Sequence, residues 1–180
     1  EELNKLGCQE LLMSALQNPA PWEKSGRFSD QEVDIWFKTE LSAGGVLGLA
    51  PTHEEPITEL MKTYISSYKD LPIAVYQFQT KFRNELRAKS GIMRGREFLM
   101  KDLYSFHTTE EDLDKFYDKV FQAYINVYER LGLGDVTFPC FASGGIFSKF
   151  SHEFQTLLPV GEDTIYYTKD KAIVLNKEVV

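Results

Sequence analysis

Between positions 81 and 101, a chain of formal net charge −7 gathers Lys81, Arg83, Arg87, Lys89, Arg94, Arg96 and Lys101, opposed only by Glu85 and Glu97. Three chemistries suit such a run: a solvated hairpin, a nucleic-acid contact, or a cradle for a small polyanion. Arg83 and Glu85 are two apart, hence side by side on one face of an extended strand. Arg94, Arg96 and Phe98 bring guanidinium groups and an aromatic ring back over them on a partner strand. Guanidinium forks grip phosphate oxygens in pairs, an aromatic face stacks a purine, and a carboxylate accepts from an exocyclic amine. Together these groups can hold ATP, although the sequence carries no G-x-x-x-x-G-K or G-x-G-x-x-G phosphate fingerprint.

Periodicity predicts the elements that must position them. Residues 74–84 (AVYQFQTKFRN) alternate, with Tyr76, Phe78 and Phe82 on one side and Gln77, Gln79, Lys81, Arg83 and then Glu85 on the other. The spacing predicts a strand with a core face and a polar face. EFLMKDLYSF, residues 97–106, reads as a second strand, and RAKSGIMRGR between them as the long basic loop of an antiparallel hairpin. Upstream, residues 3–12 read as a helix end running into a strand, broken at Gly7. Residues 18–34 read as irregular and Val46 to Leu49 as a short strand. Ile57, Leu60, Met61, Tyr64 and Ile65 predict a helix over 55–67, with Glu54 and Glu55 at its positive end. Downstream, Thr108 and Thr109 open a helix, with Glu111 in capping-box spacing after Thr108, an aromatic stripe from Leu113 to Tyr128, and Gly132 to end it. Short strands are expected near 136–141, 152–158 and 164–168. The fold class is α+β, with an antiparallel or mixed sheet flanked by helices.

Bulk properties narrow the function classes. A chain of 180 residues, 43% hydrophobic and 26% charged, is long enough to bury a real core. No apolar run approaches the roughly 20 residues that span a bilayer, so no membrane role is expected. The chain begins at Glu1 with no signal-like segment and reads as a piece of something longer. Cys8 and Cys140 stand too far apart for zinc-ligand spacing or a disulfide framework. A reducing, cytoplasmic setting and no protein-held metal are therefore expected. The acidic total excludes a general nucleic-acid coat.

FRNE, the basic loop and REFLMKDLYSFH closely resemble motif 2 of class II aminoacyl-tRNA synthetases, in the form of the bacterial-type prolyl-tRNA synthetases. LGLAPTHEEPIT resembles that family's amino-acid-binding strand and turn, and FSHEFQTLLPVGEDTIYY its SHEF segment. GCQELLMSALQNPAPWEKSGR is similar to the end of motif 1 and the segment after it. The resemblance runs over roughly residues 3–170 in the family's order. It implies that residues 1–180 form part of a class II catalytic domain, with its antiparallel sheet and flanking helices.

The resemblance also implies roles. Arg83 would grip the ATP α-phosphate and the amino-acid carboxylate, Glu85 would read the adenine amine, Phe98 would stack on the purine, and Arg94 would hold the γ-phosphate. Thr52 and Glu54 would bind the α-amino group of L-proline, a secondary ammonium whose charge calls for an anionic partner. His152 would sit at the proline pocket, supported by Glu153 and Phe154. The residues alone give blander readings: Phe98 as core, Thr52 and Glu54 as a helix cap, and Arg87 and Lys89 as solvated charges or contacts to a tRNA acceptor end. His53 and His107 read as ordinary histidines. The implied reaction uses ATP and Mg²⁺ to make prolyl-adenylate, then transfers proline to the 3′ end of tRNA(Pro), in a full-length homodimer.

The sequence departs from the family pattern in places. Ser14 follows Met13 where motif 1 usually has proline, and Ile146-Phe147-Ser148-Lys149 replaces a Gly-Gly pair before SHEF. Motif 3 and the anticodon-binding domain would lie beyond Val180, as would any editing domain. Two other readings accompany the main one: a non-catalytic paralogue acting as a binding or regulatory module, and a class II synthetase for another amino acid. The threonyl enzyme needs a Cys and two His for zinc, and no such trio stands out.

Overall fold

The computed structural model describes residues 1–143, 151–170 and 172–180. The Ile146–Lys149 departure lies outside them. In chain order the helices are α1 (Glu2–Lys5), α2 (Pro19–Lys24), α3 (Glu54–Tyr64) and α4 (Glu110–Arg130). The strands are β1 (Gln9–Glu10), β2 (Leu16–Gln17), β3 (Phe37–Glu40), β4 (Val46–Leu49), β5 (Ile73–Phe82), β6 (Glu97–Phe106), β7 (Thr137–Ala142), β8 (Ser151–Thr156), β9 (Ile165–Tyr167) and β10 (Val174–Asn176). They form two compact units, Leu3–Phe116 and Glu1–Glu2 with Tyr117–Val180. Among the described residues no helix is long and apolar enough to cross a membrane.

The first unit holds two sheets. In one, β1 runs parallel to β5 and β5 pairs antiparallel with β6 over all ten residues, from Ile73 opposite Phe106 to Phe82 opposite Glu97. In the other, β4 lies between β2 and β3, antiparallel to both. α3 lays Ile57 and Met61 on Val75, with Leu11, Met13, Leu60 and Tyr104 closing round them, as its helical spacing requires. The helix stops at Tyr64 rather than at 67. Ile65 is already extended, and the Ser66 and Ser67 amides donate to the Asp70 carboxylate at 2.9 and 2.8 Å. That local acceptor outcompetes another helical turn.

The segment expected to be irregular contains α2. Asn18 caps it by accepting from the Ala20 amide at 3.0 Å, and Pro19 opens it. α2 delivers Trp22 edge-on to Trp36, ring centroids 4.8 Å apart, with Val33, Phe28 and Ile35 around them. Trp36 donates its indole N–H to the Arg27 carbonyl at 2.8 Å. On β4, Gly48 leaves room for this ring, since a Cβ there would stand 2.5 Å from Trp36 Cζ3.

The β5–β6 hairpin forms as its alternation predicts, but its burial is reversed. Directly opposed antiparallel residues share a face, so Gln77, Lys81, Phe98 and Asp102 lie together with Val75 and Tyr104. This nominally polar face is the covered one: Lys81 is 0% and Gln77 1% exposed. The expected core face keeps Tyr76 buried but leaves Phe78 52% and Leu99 71% exposed. The reason is what lies over each side. The turn joining β4 to α3 sits on the polar face and brings its own polar groups as partners.

Those partners form a network centred on Asp102 Oδ2, while Asp102 Oδ1 is buried with no hydrogen-bond partner. Asp102 Oδ2 accepts from Lys81 Nζ and Gln77 Nε2, both at 2.9 Å, and from the Tyr104 hydroxyl at 2.8 Å. Lys81 also donates to His53 Nδ1. The His53 amide donates to Tyr104 Oη at 3.2 Å, and its Nε2 meets the Ser14 carbonyl at 3.1 Å. Gln77 Oε1 accepts from the Met13 amide at 3.0 Å. Burial pushes the Asp102 carboxyl up, yet the donors from Gln77, Lys81 and Tyr104 outweigh it and hold it below its ordinary value. Burial depresses the Lys81 ammonium, against the pull of Asp102. Removing one partner from such a buried pair costs about 3–5 kcal/mol, against at most about 1 kcal/mol for an exposed one.

In the second unit, β7 pairs antiparallel with β8 and parallel with β10, and β9 closes the edge against β10. The last of these strands had no clear signal in its three residues. Phe154 of β8 is surrounded by Phe121, Tyr124 and Tyr128 of α4, at centroid distances of 5.4, 5.4 and 5.5 Å. Of the two threonines expected to open α4, Thr109 makes the cap, accepting from the Asp112 amide at 3.2 Å. Gly132, at φ 74°, takes the left-handed turn that stops the helix.

Two outcomes test this packing. Gly48→Ala must displace the Trp36 ring, and a loss of about 1–3 kcal/mol is expected in urea unfolding followed by tryptophan fluorescence. Burial, then the Lys81 ammonium, hold the His53 imidazole below its ordinary value. The unfolded chain therefore takes up this proton first as pH falls below about 6.5. The corresponding stability is complete above that pH and declines below it, by at most about 1.4 kcal/mol per pH unit. The urea midpoint should drop between pH 7 and 5.5, and that slope should flatten in His53→Gln. Asp102 and Glu85, held low, lose their contributions only further down, near and below pH 4.

Candidate active site

The turn after β4 is built to hold two side chains still. Ala50 and Pro51 are buried, and every carbonyl from Ala50 to His53 has a donor. The Phe82 amide reaches Ala50 at 2.8 Å, Arg83 Nε reaches Pro51 at 3.1 Å and Gln17 Nε2 reaches Thr52 at 3.0 Å. The His53 carbonyl accepts from the Ile57 amide at 2.9 Å, starting α3. On this frame the Thr52 hydroxyl donates to the Glu54 carboxylate. Glu54 is the first residue of α3, where the helix N-terminus favours an anion.

Arg83 continues from β5 into the same region. Its amide donates to the Arg96 carbonyl at 2.9 Å, and its guanidinium carbon lies 5.5 Å from the Phe98 ring centroid, in cation–π range. Burial draws the guanidinium below its ordinary value while Glu54 pulls it back up, so the charges of Arg83 and Glu54 sense one another. Arg83 stays protonated in any case. Of its donors only Nε is committed to the turn. The arrangement leaves a half-buried cation and a half-buried anion on adjoining elements, suited to an amino acid's two charged ends.

Further out, Glu85 and Arg94 meet across the basic loop, Nε to Oε2 at 3.2 Å. Glu85 Oε1 accepts from the Arg87 amide at 3.2 Å. The Arg87 amide first, then the Arg94 charge, hold the Glu85 carboxyl below its ordinary value. The loop is cross-linked by a bridge between Lys89 and Arg94.

Of the residues singled out in the sequence, the first unit thus brings Thr52, Glu54, Arg83 and Phe98 onto neighbouring elements, and pairs Glu85 with Arg94. His152 belongs to the second unit. It stands on β8 with Nδ1 2.8 Å from the Tyr117 hydroxyl and its ring 4.6 Å from Phe141 and 5.4 Å from Phe121. The Tyr117, Phe121 and His152 rings border a cavity of about 230 Å³. Phe154 shares its face, while Glu153 faces the other way, accepting from Gln155 at 2.8 Å and Asn176 at 3.3 Å. Sequence reasoning placed Gln77 and Lys81 on a polar strand face and read His53 as ordinary, but did not join them with Asp102 and Tyr104. Their signal was two polar strand faces, Q-x-Q-x-K and D-x-Y, which meet only in the observed register. Among the described residues no group of three or more His, Cys, Asp or Glu is placed to hold a metal ion.

Residues 37–169 match the family described as tRNA synthetase class II core domain (G, H, P, S and T). The chain is 45% identical over 179 residues to the proline–tRNA ligase of Bacillus cytotoxicus, and 44% identical to that of Bacillus pumilus over 180 residues. In both cases 99% of this chain is covered but only 31% of the relative, so it spans about a third of the length of the curated relatives it matches. Among solved structures, Giardia lamblia prolyl-tRNA synthetase in complex with prolyl-adenylate is similar with a TM-score of 0.75, at 20% identity over 88% of this chain and 33% of that one. The Cryptosporidium parvum enzyme complexed with L-proline and AMP gives a TM-score of 0.66 at 18% identity, over 79% of this chain and 28% of that one. At those identities the likeness speaks for the fold. With the family match covering most of the chain, and the α+β architecture agreeing with it, this protein belongs to the class II tRNA synthetase core-domain family.

Proposed function

We propose that this chain is part of the catalytic domain of a proline–tRNA ligase, and that it holds proline and ATP for formation of prolyl-adenylate. The observation that carries this reading is the Thr52–Glu54 pair, set at the start of α3 beside the Arg83 guanidinium. A secondary ammonium offers two N–H bonds and a positive charge, and the Glu54 carboxylate with Thr52 Oγ1 supplies acceptors for them. Arg83 then faces the amino acid's carboxylate and the α-phosphate together. The carboxylate is already a nucleophile. One of its oxygens attacks the α-phosphorus, pyrophosphate departs, and prolyl-adenylate remains, so this step calls for no general base. Arg83 and Arg94 act by neutralising the charge on the phosphates.

Phe98 offers the purine a ring already flanked by Arg83, and Glu85 offers its amine an acceptor. Binding ATP exchanges the Glu85–Arg94 ion pair for contacts to the base and to the γ-phosphate. Mg²⁺ enters as part of the nucleotide substrate, carried by its phosphates. In the second step the terminal ribose hydroxyl of tRNA(Pro) attacks the activated carbonyl and AMP leaves, with Arg87 and Lys89 as the proposed contacts to the acceptor end. His152 is assigned to the proline pocket on the strength of the SHEF resemblance. The full-length protein is proposed to be a homodimer. Two buried free cysteines, Cys8 and Cys140, suit a reducing cytoplasmic setting.

Calorimetric titration with non-hydrolysable aminoacyl-adenylate analogues tests this reading. The prolyl analogue should bind in preference to the alanyl and threonyl ones. Glu54→Ala and Arg83→Ala should each weaken it by about 10- to 150-fold, the worth of a hydrogen bond to a charged group. Equal binding of all three analogues would remove proline as the substrate.

A further inference from the structure

We propose that Lys81 is a positioning residue for the amino-acid subsite: by donating to His53 and Asp102 at once, it fixes the turn that presents Thr52 and Glu54 to the substrate's amine. The inference deepens the proposed function and rests on it for the identity of that amine.

A lysine ammonium is a donor only, so His53 Nδ1, which faces Lys81 Nζ, must be the acceptor. The imidazole proton therefore sits on Nε2 and is donated to the Ser14 carbonyl, 3.1 Å away. One tautomer and one ring orientation satisfy both contacts. His53 stands between Thr52 and Glu54 in the chain, so fixing its ring fixes the backbone that carries both. Its amide is tied as well, to Tyr104 Oη, and the Tyr104 hydroxyl returns to Asp102. Side chain and backbone of this residue thus reach the same carboxylate by separate routes. Asp102 also takes the amide of Gln77, which holds the Met13 amide next to Ser14 and closes the circuit. Lys81 is fully buried and its ammonium hydrogen-bonds to His53 and Asp102, not to Thr52, Glu54 or Arg83.

A lysine present merely to neutralise Asp102 would affect every ligand alike. A positioning lysine affects the part of binding that depends on the amine. Calorimetry on this chain separates the two, using a non-hydrolysable prolyl-adenylate analogue and its cyclopentanecarbonyl counterpart, which lacks the ring nitrogen. In Lys81→Met, which keeps the stem volume, the affinity ratio between the two should fall about tenfold or more, while the cyclopentyl compound binds within about twofold of the parent. His53→Leu should reproduce that fall. His53→Asn, whose amide oxygen can stand in for the Nδ1 acceptor, should retain most of the ratio. The His53 pair gives the same readout if Lys81→Met does not fold. An unchanged ratio, or equal weakening of both compounds, overturns the inference. Imidazole ¹⁵N spectra supply a ligand-free readout. The parent should show His53 as the Nε2–H tautomer, and Lys81→Met should show a mixture, with faster amide exchange at His53. If the parent binds neither compound, the proposed function fails. An Nδ1–H tautomer in the parent, or a spectrum unchanged by Lys81→Met, overturns the positioning role by itself.

Discussion

The ion pair between Lys81 and Asp102 is the interaction on which the first unit's arrangement depends. A charged pair in so dry a place is justified only if its remaining bonding capacity is met. Here Gln77 and Tyr104 donate to Asp102 Oδ2 and His53 accepts from Lys81, leaving only the buried Asp102 Oδ1 without a partner, and each comes from, or reaches to, a different piece of chain. β5 and β6 cannot slip by one residue, since Lys81, Gln77 and Asp102 would move to the other face. The segment before β2 cannot shift without losing the Met13 and Ser14 contacts. The network therefore sets register as well as holding charge, and the β4–α3 turn is positioned as a consequence.

Above that layer the site uses fewer bonds and leaves more capacity open. Arg83 commits Nε to the Pro51 carbonyl and keeps its terminal nitrogens on a half-buried guanidinium beside Phe98. Glu54 takes one donor from Thr52 and sits at a helix start that stabilises its charge. The gradient is physical: a densely bonded floor, unpaired only at Asp102 Oδ1, beneath a partly satisfied rim. Such a floor lets the rim groups keep their geometry while awaiting a ligand, because reorganisation would have to disturb buried hydrogen bonds first.

The sequence made the long elements legible because their periods are unambiguous. Alternation over residues 74–84 and a mostly apolar run over 97–106, on either side of a basic loop, define the β5–β6 hairpin, and the 3.6-residue spacings define α3 and α4. α2 escaped because two prolines suggest irregular chain, although Asn18-Pro19 is itself a helix-start signature. β10 escaped because three residues carry too little pattern. The burial of the hairpin was legible only as a division into two faces. Alternation separates Gln77 and Lys81 from Phe78 but does not say what covers either side, and the covering turn lies about 30 residues away in the chain. Thr52, Glu54 and Arg83 could be singled out by resemblance to a family. His53 and Asp102 could not be joined from sequence, since their meeting through Lys81 depends on a register that the loop lengths do not fix.

The pairing of Glu85 with Arg94 has a consequence for discrimination among anions. In the proposed function these two residues serve opposite ends of one nucleotide. A free inorganic anion recruiting Arg94 would strip Glu85 of a partner and give nothing back, which lowers that anion's affinity. A nucleotide brings both a phosphate for the cation and an amine for the carboxylate. Under that proposal the ion pair is an internal competitor that disfavours partial ligands and yields to complete ones. The basic loop of an acidic chain can in this way stay selective amid the abundant free phosphate of a cell.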